Sequence, residues 1–234
     1  MYLWVFQGHL GDGKTFGASV LAHYYAARAK KAGVLVDIYS NYGLRGSRPL
    51  THYKDYYNVA RSPNSIQVMD EAHVNLDSRM FSKGSNIYMT QFFFYLRKLH
   101  SSLFMTSPSI RNLDSRIRNL TNILVDCRKT GGGGFSYDVY DYAGEKLLRK
   151  MFLPPYRVQE LFKARLYNTD NIVRNVQFPS NERAFDEFLN EVIRVRNERY
   201  GSAQDAEDEM FADLLKEPEE MAAEDPFAAE NEPA

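Results

Sequence analysis

Short apolar runs alternate with helical stretches along the first two thirds of the chain. The runs predicted to be buried strands are residues 3–6, 34–39, 66–69, 103–105 and 123–126. Residues 14–32 lack proline and stop at Gly33, which predicts a helix. Residues 41–64 are predicted to form a loop with one short helix, and residues 90–101 a further helix. Strands that alternate with helices predict an α/β fold with a mostly parallel central sheet flanked by helices.

The hydrophobic period changes in the second half of the chain. Residues 135–142 alternate aromatic or apolar side chains with polar ones and then meet Ala143 and Gly144, which predicts one arm of an edge β-hairpin. Apolar side chains between Phe185 and Val192 recur at helical spacing, so we expect a C-terminal amphipathic helix that begins near residue 180.

The composition excludes several classes of protein. The chain has 234 residues, of which 44% are hydrophobic and 25% charged, so it is neither collagen-like nor wholly disordered. The single cysteine, Cys127, excludes a disulfide framework and a cysteine-based zinc site. The longest apolar stretch, residues 91–105, is interrupted by Arg97 and Lys98, and the N-terminus does not resemble a signal peptide. We therefore expect a cytoplasmic protein without a transmembrane segment.

Charge is divided between a basic body and an acidic tail. Residues 201–234 hold twelve acidic residues and one lysine; removing them from the totals of 30 and 29 leaves 18 acidic and 28 basic residues. Residues 1–200 thus carry +10 and the tail −11. A basic body favours polyanionic partners, whereas the tail, predicted to be mobile, masks the body, docks to a partner or only solubilises the chain. Four apolar residues within it would form a stripe if the segment is helical: Met210, Phe211, Leu214 and Leu215.

Residues 8–15, Gly-His-Leu-Gly-Asp-Gly-Lys-Thr, match the P-loop pattern between a predicted strand and a predicted helix. The glycines let the backbone aim its N–H groups at phosphate oxygens, and the helix adds the positive end of its dipole. Lys14 places a cation between the β- and γ-phosphates, and Thr15 offers a hydroxyl to Mg²⁺. The predicted ATP-binding residues are Gly8, Gly11, Asp12, Gly13, Lys14, Thr15 and Phe16.

The third predicted strand ends in two adjacent carboxylates. Asp70 follows the strand at its carboxyl end, where open α/β sheets bind ligands, and we expect it to hold Mg²⁺. Glu71 would then take a proton from the attacking water. The alternative is an acidic turn without catalytic function. The strand at residues 34–39 falls in the interval between Lys14 and Asp70 and is a candidate to lie between their two strands.

Polar and basic residues follow the fourth predicted strand. Thr106 or Ser107 is a candidate to hydrogen-bond the γ-phosphate or the attacking water, the alternative being a simple Ser-Pro turn. Arg116 and Arg118 are candidate arginine fingers for a neighbouring subunit, the alternative being surface solvation. They share a face if the segment is extended and point apart if it is helical. Arg79 is a weaker candidate for the arginine finger.

These motifs resemble those of the zonular occludens toxin-like ATPases, in the HerA/FtsK group of P-loop motors that includes viral genome-packaging ATPases. The resemblance rests on the P-loop, on the Asp70 segment through Asp-Ser-Arg79, on residues 106–110 with Arg116 and Arg118, and on residues 167–169. It implies a RecA-like core, hexameric rings and ATP-driven DNA movement. Two features depart from the family: Ser-Pro replaces a common glutamine in the sensor strand, and an acidic tail stands where filamentous-phage members continue into a transmembrane helix.

A motor on DNA needs cations that contact phosphates without reading sequence. Arg128 and Lys129 lead into a run of four glycines, which we expect to line a ring pore, the alternative being a plain hairpin loop. Arg45 and Arg48 form a second basic loop, and Lys83 is a third candidate.

The sequence therefore predicts a P-loop ATPase domain at residues 1–178, a C-terminal helix at 179–200 and a tail at 201–234. The favoured function is a viral DNA-packaging ATPase that acts as a ring on double-stranded DNA with ATP and Mg²⁺, in the host cytoplasm or at a procapsid vertex. The alternative is a phage assembly or secretion ATPase that acts at a membrane with a protein partner. If the tail docks to a partner, a capsid or membrane protein is the candidate.

Overall fold

The computed structural model describes residues 2–76, 84–167 and 172–200. Their helices and strands are, in chain order, β1 (Leu3–Gln7), α1 (Lys14–Lys31), β2 (Asp37–Ser40), β3 (Arg48–Pro49), α2 (Tyr56–Arg61), β4 (Ser65–Met69), α3 (Ala72–Asn75), α4 (Gly84–Phe93), β5 (Ser101–Ser107), α5 (Ser115–Leu120), β6 (Ile123–Lys129), β7 (Phe135–Asp141), β8 (Lys146–Leu153), α6 (Pro155–Lys163) and α7 (Glu182–Tyr200).

The strands of the described residues form one eight-stranded sheet in the order β3-β2-β4-β5-β1-β6-β7-β8. Strands β1 to β6 pair in parallel, and β7 and β8 continue the sheet as antiparallel neighbours of β6. The predicted α/β class, the mostly parallel sheet and the edge hairpin are therefore confirmed.

The strand between the P-loop strand β1 and the Asp70 strand β4 is β5, so the expectation that residues 34–39 lie there is wrong. Strand β2 lies beyond β4, and Val34 and Leu35, ahead of it, are 42% and 69% exposed. A strand in the middle of a parallel sheet is covered on both faces, which suits the seven-residue and almost wholly buried β5 better than the four-residue β2.

Helices cover both faces of the sheet. On one face, Phe6, Phe104 and Val125 pack against Phe16 and Ala22 of α1. On the other face, the alternate strand residues meet α2, α4 and α7. Phe188 of α7 lies against six aromatic rings on this side, those of Tyr53, Tyr56, Tyr57, Phe92, Phe178 and Phe185. Helix α7 thus shares its core with the preceding residues.

Local structure departs from the sequence prediction in three places. The helix expected at residues 90–101 is α4 followed by a 3₁₀ turn at Leu96–Leu99, because His100 turns left-handed (φ 51°) and β5 begins at once. The loop at residues 41–64 contains β3 in addition to its short helix. Helix α6 was not predicted. The second arm of the edge hairpin, β8, was implied by the first arm and the turn but was given no bounds, because this mostly exposed edge strand has no alternating apolar pattern.

Several residues of interest lie outside the described residues. These are Arg79, Lys83, residues 168–169 and the acidic tail at 201–234. Across residues 2–76, 84–167 and 172–200, no helix has both the length and the apolar character that crossing a membrane requires.

The P-loop helix packs against the edge hairpin through Gly17. A Cβ atom there would stand 2.5 Å from the Tyr137 ring. Alanine is favoured over glycine in a helix by about 1 kcal/mol, but overpacking costs about 1–3 kcal/mol. We expect Gly17→Ala to lower the free energy of unfolding by about 1 kcal/mol in a urea titration. In a Tyr137→Leu background the ring that meets the new Cβ atom is gone, so Gly17→Ala should raise the free energy of unfolding. An equal loss of stability in both backgrounds would contradict this packing.

Candidate functional site

The P-loop connects β1 to α1 and lies against the edge hairpin. Gly13 has φ 80°, and a Cβ atom there would stand 2.6 Å from the Phe135 ring. Gly8 has φ 151°, and its Cβ would stand 2.6 Å from the Cys127 carbonyl oxygen. Both positions therefore require glycine for conformation and for space. Burial raises the pKa of the Cys127 thiol, so this cysteine is not a reactive nucleophile.

Asp12 fixes the shape of the P-loop from inside it. Its carboxylate accepts a hydrogen bond from the His9 amide at 2.7 Å and another from the Lys129 amide at 3.2 Å. Asp12, predicted as a nucleotide contact, thus ties the loop to the end of β6.

The N-terminus of α1 and the Lys14 side chain supply positive charge at the P-loop. No side chain of the described residues caps this helix end, and its first turn holds no acidic residue. Such a helix end attracts anions through its N–H groups and its dipole. The Lys14 ammonium crosses the loop and donates to the His9 carbonyl at 2.9 Å, and the side chain is largely buried. The arrangement suits a bound phosphate chain.

Asp70 joins the P-loop to two strands of the sheet. Its Oδ1 atom accepts hydrogen bonds from the Thr15 hydroxyl at 2.7 Å and from the Thr106 hydroxyl at 2.6 Å. Asp70 is 7% exposed and Thr106 is fully buried. The structure thus brings together three residues predicted from separate motifs.

Asn41 holds Asp70 in place and was not predicted. Its amide oxygen accepts from the Asp70 N–H at 2.8 Å, and its amide nitrogen donates to the Asp70 carbonyl at 3.0 Å and to the Arg174 carbonyl at 3.0 Å. Asn41 follows β2 at the carboxyl end of the sheet. The rule that ligands bind at this end of parallel strands could have singled it out.

Glu71 adopts a conformation that a non-glycine residue rarely takes. Its φ is 52°, in the left-handed region, and its amide donates to the Thr106 hydroxyl at 3.0 Å. The carboxylate is 41% exposed and lies 3.4 Å from Nε2 of His73, also unpredicted. Backbone strain of this kind is typical of functional sites, and the exposure of the carboxylate lets a water molecule reach it.

The negative charge of Asp70 acts on two tyrosine hydroxyls, those of Tyr42 and Tyr167. Burial, together with the nearby charge of Asp70, raises the pKa of Tyr167 to about 12. Burial likewise raises the pKa of Tyr42, whose hydroxyl hydrogen-bonds Ser19 at 2.8 Å, while Ser19 donates to the Thr15 carbonyl. These tyrosines stay neutral and support the first turn of α1.

Ser107 and Phe16 face away from the site. The Ser107 hydroxyl donates to the Ser109 carbonyl at 2.8 Å, within its own turn. The Phe16 ring is 2% exposed and stacks on Phe162 at 4.7 Å, so its side chain belongs to the core. Between Thr106 and Ser107, the geometry favours Thr106 as the residue that senses the nucleotide.

The segment with Arg116 and Arg118 is helical. Two positions apart on α5, the side chains leave the axis about 200° apart. The Arg118 guanidinium donates to the Leu113 carbonyl at 2.9 Å and to the Arg111 carbonyl at 3.3 Å, so it also supports the turn before α5.

Of the four described candidate DNA contacts, Arg45, Arg128 and Lys129 follow or end strands at the P-loop end of the sheet, whereas the Arg48 side chain reaches back to the start of β2. Arg45 donates to the Ala164 carbonyl at 2.8 Å, and Arg48 lies 3.7 Å from Asp37. Arg128 lies 3.2 Å from Asp138. The Lys129 ammonium has no partner among the described residues. Residues 130–134 form the tight turn between β6 and β7, with hydrogen bonds between Thr130 and Gly134.

The oxygen donors at the P-loop fit Mg²⁺. No group of three or more His, Cys, Asp or Glu side chains in the described ranges could hold a metal ion. Mg²⁺, however, takes only one or two protein oxygen ligands when it binds with phosphates. The Thr15 hydroxyl and the Asp70 carboxylate, 2.7 Å apart, are such ligands.

Comparison with known proteins supports the fold. No family model and no curated protein matches the chain. The N-terminal domain of zonular occludens toxin from Neisseria meningitidis is similar over 68% of this chain and 97% of that one, at 16% identity and a TM-score of 0.50. The genome-packaging NTPase B204 of Sulfolobus turreted icosahedral virus 2, in complex with ATP-gammaS, is similar over 66% of this chain and 97% of that one, at 12% identity and a TM-score of 0.45. The chain has a P-loop NTPase fold, and the predicted resemblance is confirmed at the level of the fold.

The contrast between Thr106 and Ser107 can be tested by removing each hydroxyl. Thr106→Val removes the donor to Asp70 and the acceptor for the Glu71 amide while keeping the side-chain shape. We expect ATP turnover to fall about tenfold to a hundredfold through misplacement of the carboxylates, with nucleotide binding retained. Ser107→Ala should leave turnover close to that of the unchanged protein. A larger loss in Ser107→Ala, with both variants folded by circular dichroism, would assign the sensing role to Ser107 instead.

Proposed function

We propose that this chain is an ATP-hydrolysing, DNA-translocating motor that acts as a viral genome-packaging ATPase. The observation that carries the proposal is the convergence of Thr15 and Thr106 on one oxygen of Asp70, beside Glu71 and the P-loop. This arrangement links the residues that bind phosphate to the residues that activate water. A protein that only binds nucleotide has no need of a second, exposed carboxylate at this place.

The P-loop binds the triphosphate of ATP through backbone N–H groups, the α1 dipole and the Lys14 ammonium. Lys14 exchanges its bond to the His9 carbonyl for phosphate oxygens. Thr15 and Asp70 would hold Mg²⁺, which supplies positive charge to the phosphate oxygens when bound. Asn41 keeps the Asp70 backbone fixed while the carboxylate changes partners.

Glu71 acts as the general base toward the attacking water. Its carboxylate is accessible, and its backbone is held by the Thr106 hydroxyl. Because Thr106 also bonds Asp70, a change at the γ-phosphate is transmitted through one hydroxyl to both carboxylates and to β5. His73 orients the Glu71 carboxylate from the side. We assign Thr106 and His73 as positioning residues.

Catalysis in a ring takes an arginine from the neighbouring subunit to neutralise transition-state charge. Arg116 and Arg118 both remain candidates. Since they point in different directions from α5, only one of them reaches a given neighbouring site. We propose a ring assembly, hexameric as the family resemblance implies, with each site completed by the next subunit.

DNA contact is proposed at the basic loops on both sides of the P-loop. Arg45 and Arg48 follow β2, whereas Arg128 and Lys129 end β6, four strand positions away, or about 19 Å. The net charge of +10 over residues 1–200 supports a polyanionic partner. Ion pairs with Asp37 and Asp138 orient Arg48 and Arg128, and both side chains remain exposed enough to contact a phosphate. Lys129, next to Arg128, extends into solvent. We propose double-stranded DNA as the substrate, in the host cytoplasm or at a procapsid vertex.

The assignment of Glu71 is tested with the isosteric amide. Glu71→Gln removes the base but keeps the hydrogen-bonding shape, so we expect turnover to fall by roughly 10²–10⁴ while ATP binding persists. Glu145→Gln is the matched control, because Glu145 also has a positive φ, 49°, but lies in the β7–β8 turn far from the P-loop. Steady-state ATPase rates and titration with a fluorescent ATP analogue measure the two effects. Full turnover in Glu71→Gln would overturn the base assignment.

The DNA assignment is tested at Lys129. We expect double-stranded DNA to raise the ATPase rate, and Lys129→Ala to weaken DNA binding and reduce the salt slope of log K by about 1. Lys146→Ala removes the same charge at the opposite end of the edge hairpin and should change neither quantity. An ATPase rate that DNA leaves unchanged in the assembled protein would contradict translocation, with ATP hydrolysis itself still intact.

A further inference from the structure

A cleft of about 630 Å³ lies at the end of the sheet opposite the P-loop. It is formed by the first residues of β1, β4 and β5 and by the last turn of α1. Three aromatic side chains form its floor: Trp4 lies 5.4 Å from Phe104 and 6.0 Å from Tyr25, between ring centroids. At its rim, Tyr2 is 58% and Val34 is 42% exposed. None of the proposed ATP or DNA residues lines this cleft.

The surroundings of the cleft are basic. Arg97 and His100 line it, and no carboxylate does so among the described residues. Arg28, Lys30 and Lys31 occupy the last turn of α1 beside it, all exposed. Burial raises the pKa of Tyr25, and the charges of Arg149 and Arg28 oppose that rise. Asp37, at the start of β2, accepts a hydrogen bond from Ser62 and forms an ion pair with Arg48.

The described part of the chain ends beside this cleft. Near the end of α7, Arg196 donates to the Lys98 carbonyl at 3.0 Å, and Arg199 donates to the Ser62 carbonyl. Lys98 follows Arg97, and Ser62 precedes the lining residue Asn64 by two positions. The end of α7 therefore lies at the rim, on the opposite face of the sheet from α1.

The segment at residues 207–217 combines apolar and acidic side chains, which complement the aromatic floor and the basic surroundings of the cleft. Residues 207–217, Glu-Asp-Glu-Met-Phe-Ala-Asp-Leu-Leu-Lys-Glu, combine four apolar side chains with five acids. Nine residues separate Tyr200 from Met210 and span up to about 30 Å, which is enough to turn around the end of the sheet. Apolar contact on the aromatic floor and acidic residues opposite basic ones favour the same placement.

We propose that residues 207–217 dock into this cleft of their own chain, with the apolar side chains on the aromatic floor and the acids beside Arg97 and the basic end of α1. Docking places part of the tail's −11 charge on the +10 body. It also covers the exposed apolar rim. The same segment bound by a second copy, or by another protein, is the competing arrangement.

Disulfide trapping in the full chain tests the contact. Val34→Cys is combined with Leu215→Cys; the matched control pairs Tyr156→Cys with Leu215→Cys, because Tyr156 is 66% exposed on α6, which begins beside the β6–β7 turn at the P-loop end of the sheet. The native Cys127 is 2% exposed and does not interfere. We expect the Val34 pair to form an intramolecular disulfide at least about tenfold faster than the control, with the difference reduced at high salt. Equal rates in both pairs, or disulfides that form only between chains, would overturn the proposal.

Trp4 gives a second readout without cysteines, since it is the single tryptophan and lies in the floor of the cleft. Replacing Phe211, Leu214 and Leu215 together by serine should raise the acrylamide quenching of Trp4 about twofold, because the floor becomes accessible to solvent. Replacing Met221 and Phe227 by serine, further along the tail, should leave quenching unchanged. Arg97→Glu should raise quenching as the triple variant does, whereas Arg183→Glu, on the exposed face of α7, should not. Unchanged quenching in the triple variant would overturn docking.

Discussion

One oxygen atom of Asp70 holds the site together. Two hydroxyls donate to it, one from the first turn of α1 and one from β5, so three elements far apart in sequence meet at one buried carboxylate. A buried carboxylate is costly unless hydrogen bonds satisfy it, and this one is satisfied by Thr15 and Thr106 while Asn41 fixes its backbone. The same bonds set the distance between the phosphate-binding loop and Glu71, on which the proposed hydrolysis depends.

The edge hairpin is the second constraint on the P-loop. Phe135 packs against Gly13, Tyr137 packs against Gly17 and donates to the Gly13 carbonyl, and the Lys129 amide bonds Asp12. The loop is therefore enclosed by β6 and β7 as well as by α1. The proposed DNA contacts Arg128 and Lys129 end β6, which pairs with β7 of the edge hairpin. Nucleotide and DNA would therefore act on one rigid part of the sheet, which gives a physical route for coupling between them.

Helix α1 separates two ends of different character. Its N-terminus faces the P-loop with uncapped N–H groups, and its last turn carries three basic residues beside the aromatic cleft. The charge division along the chain corresponds to this geometry: the body is basic at both ends of the sheet, and the acidic residues are concentrated after Tyr200, where the chain reaches the cleft.

The sequence by itself determined the α/β class, the P-loop, the Asp70–Glu71 pair and the candidate hydroxyls, because each is a local pattern of a few consecutive residues. Only the tertiary structure decided which strand separates β1 from β4, since strand order depends on burial and pairing between distant segments. It also distinguished Thr106 from Ser107, which are adjacent in sequence but point in opposite directions from the same strand. Asn41 was missed for the same reason: it belongs to no local motif, and its contact with Asp70 arises from the packing of the sheet. His73 was missed although it lies two residues after Glu71, because its contact with that carboxylate depends on the left-handed turn at Glu71.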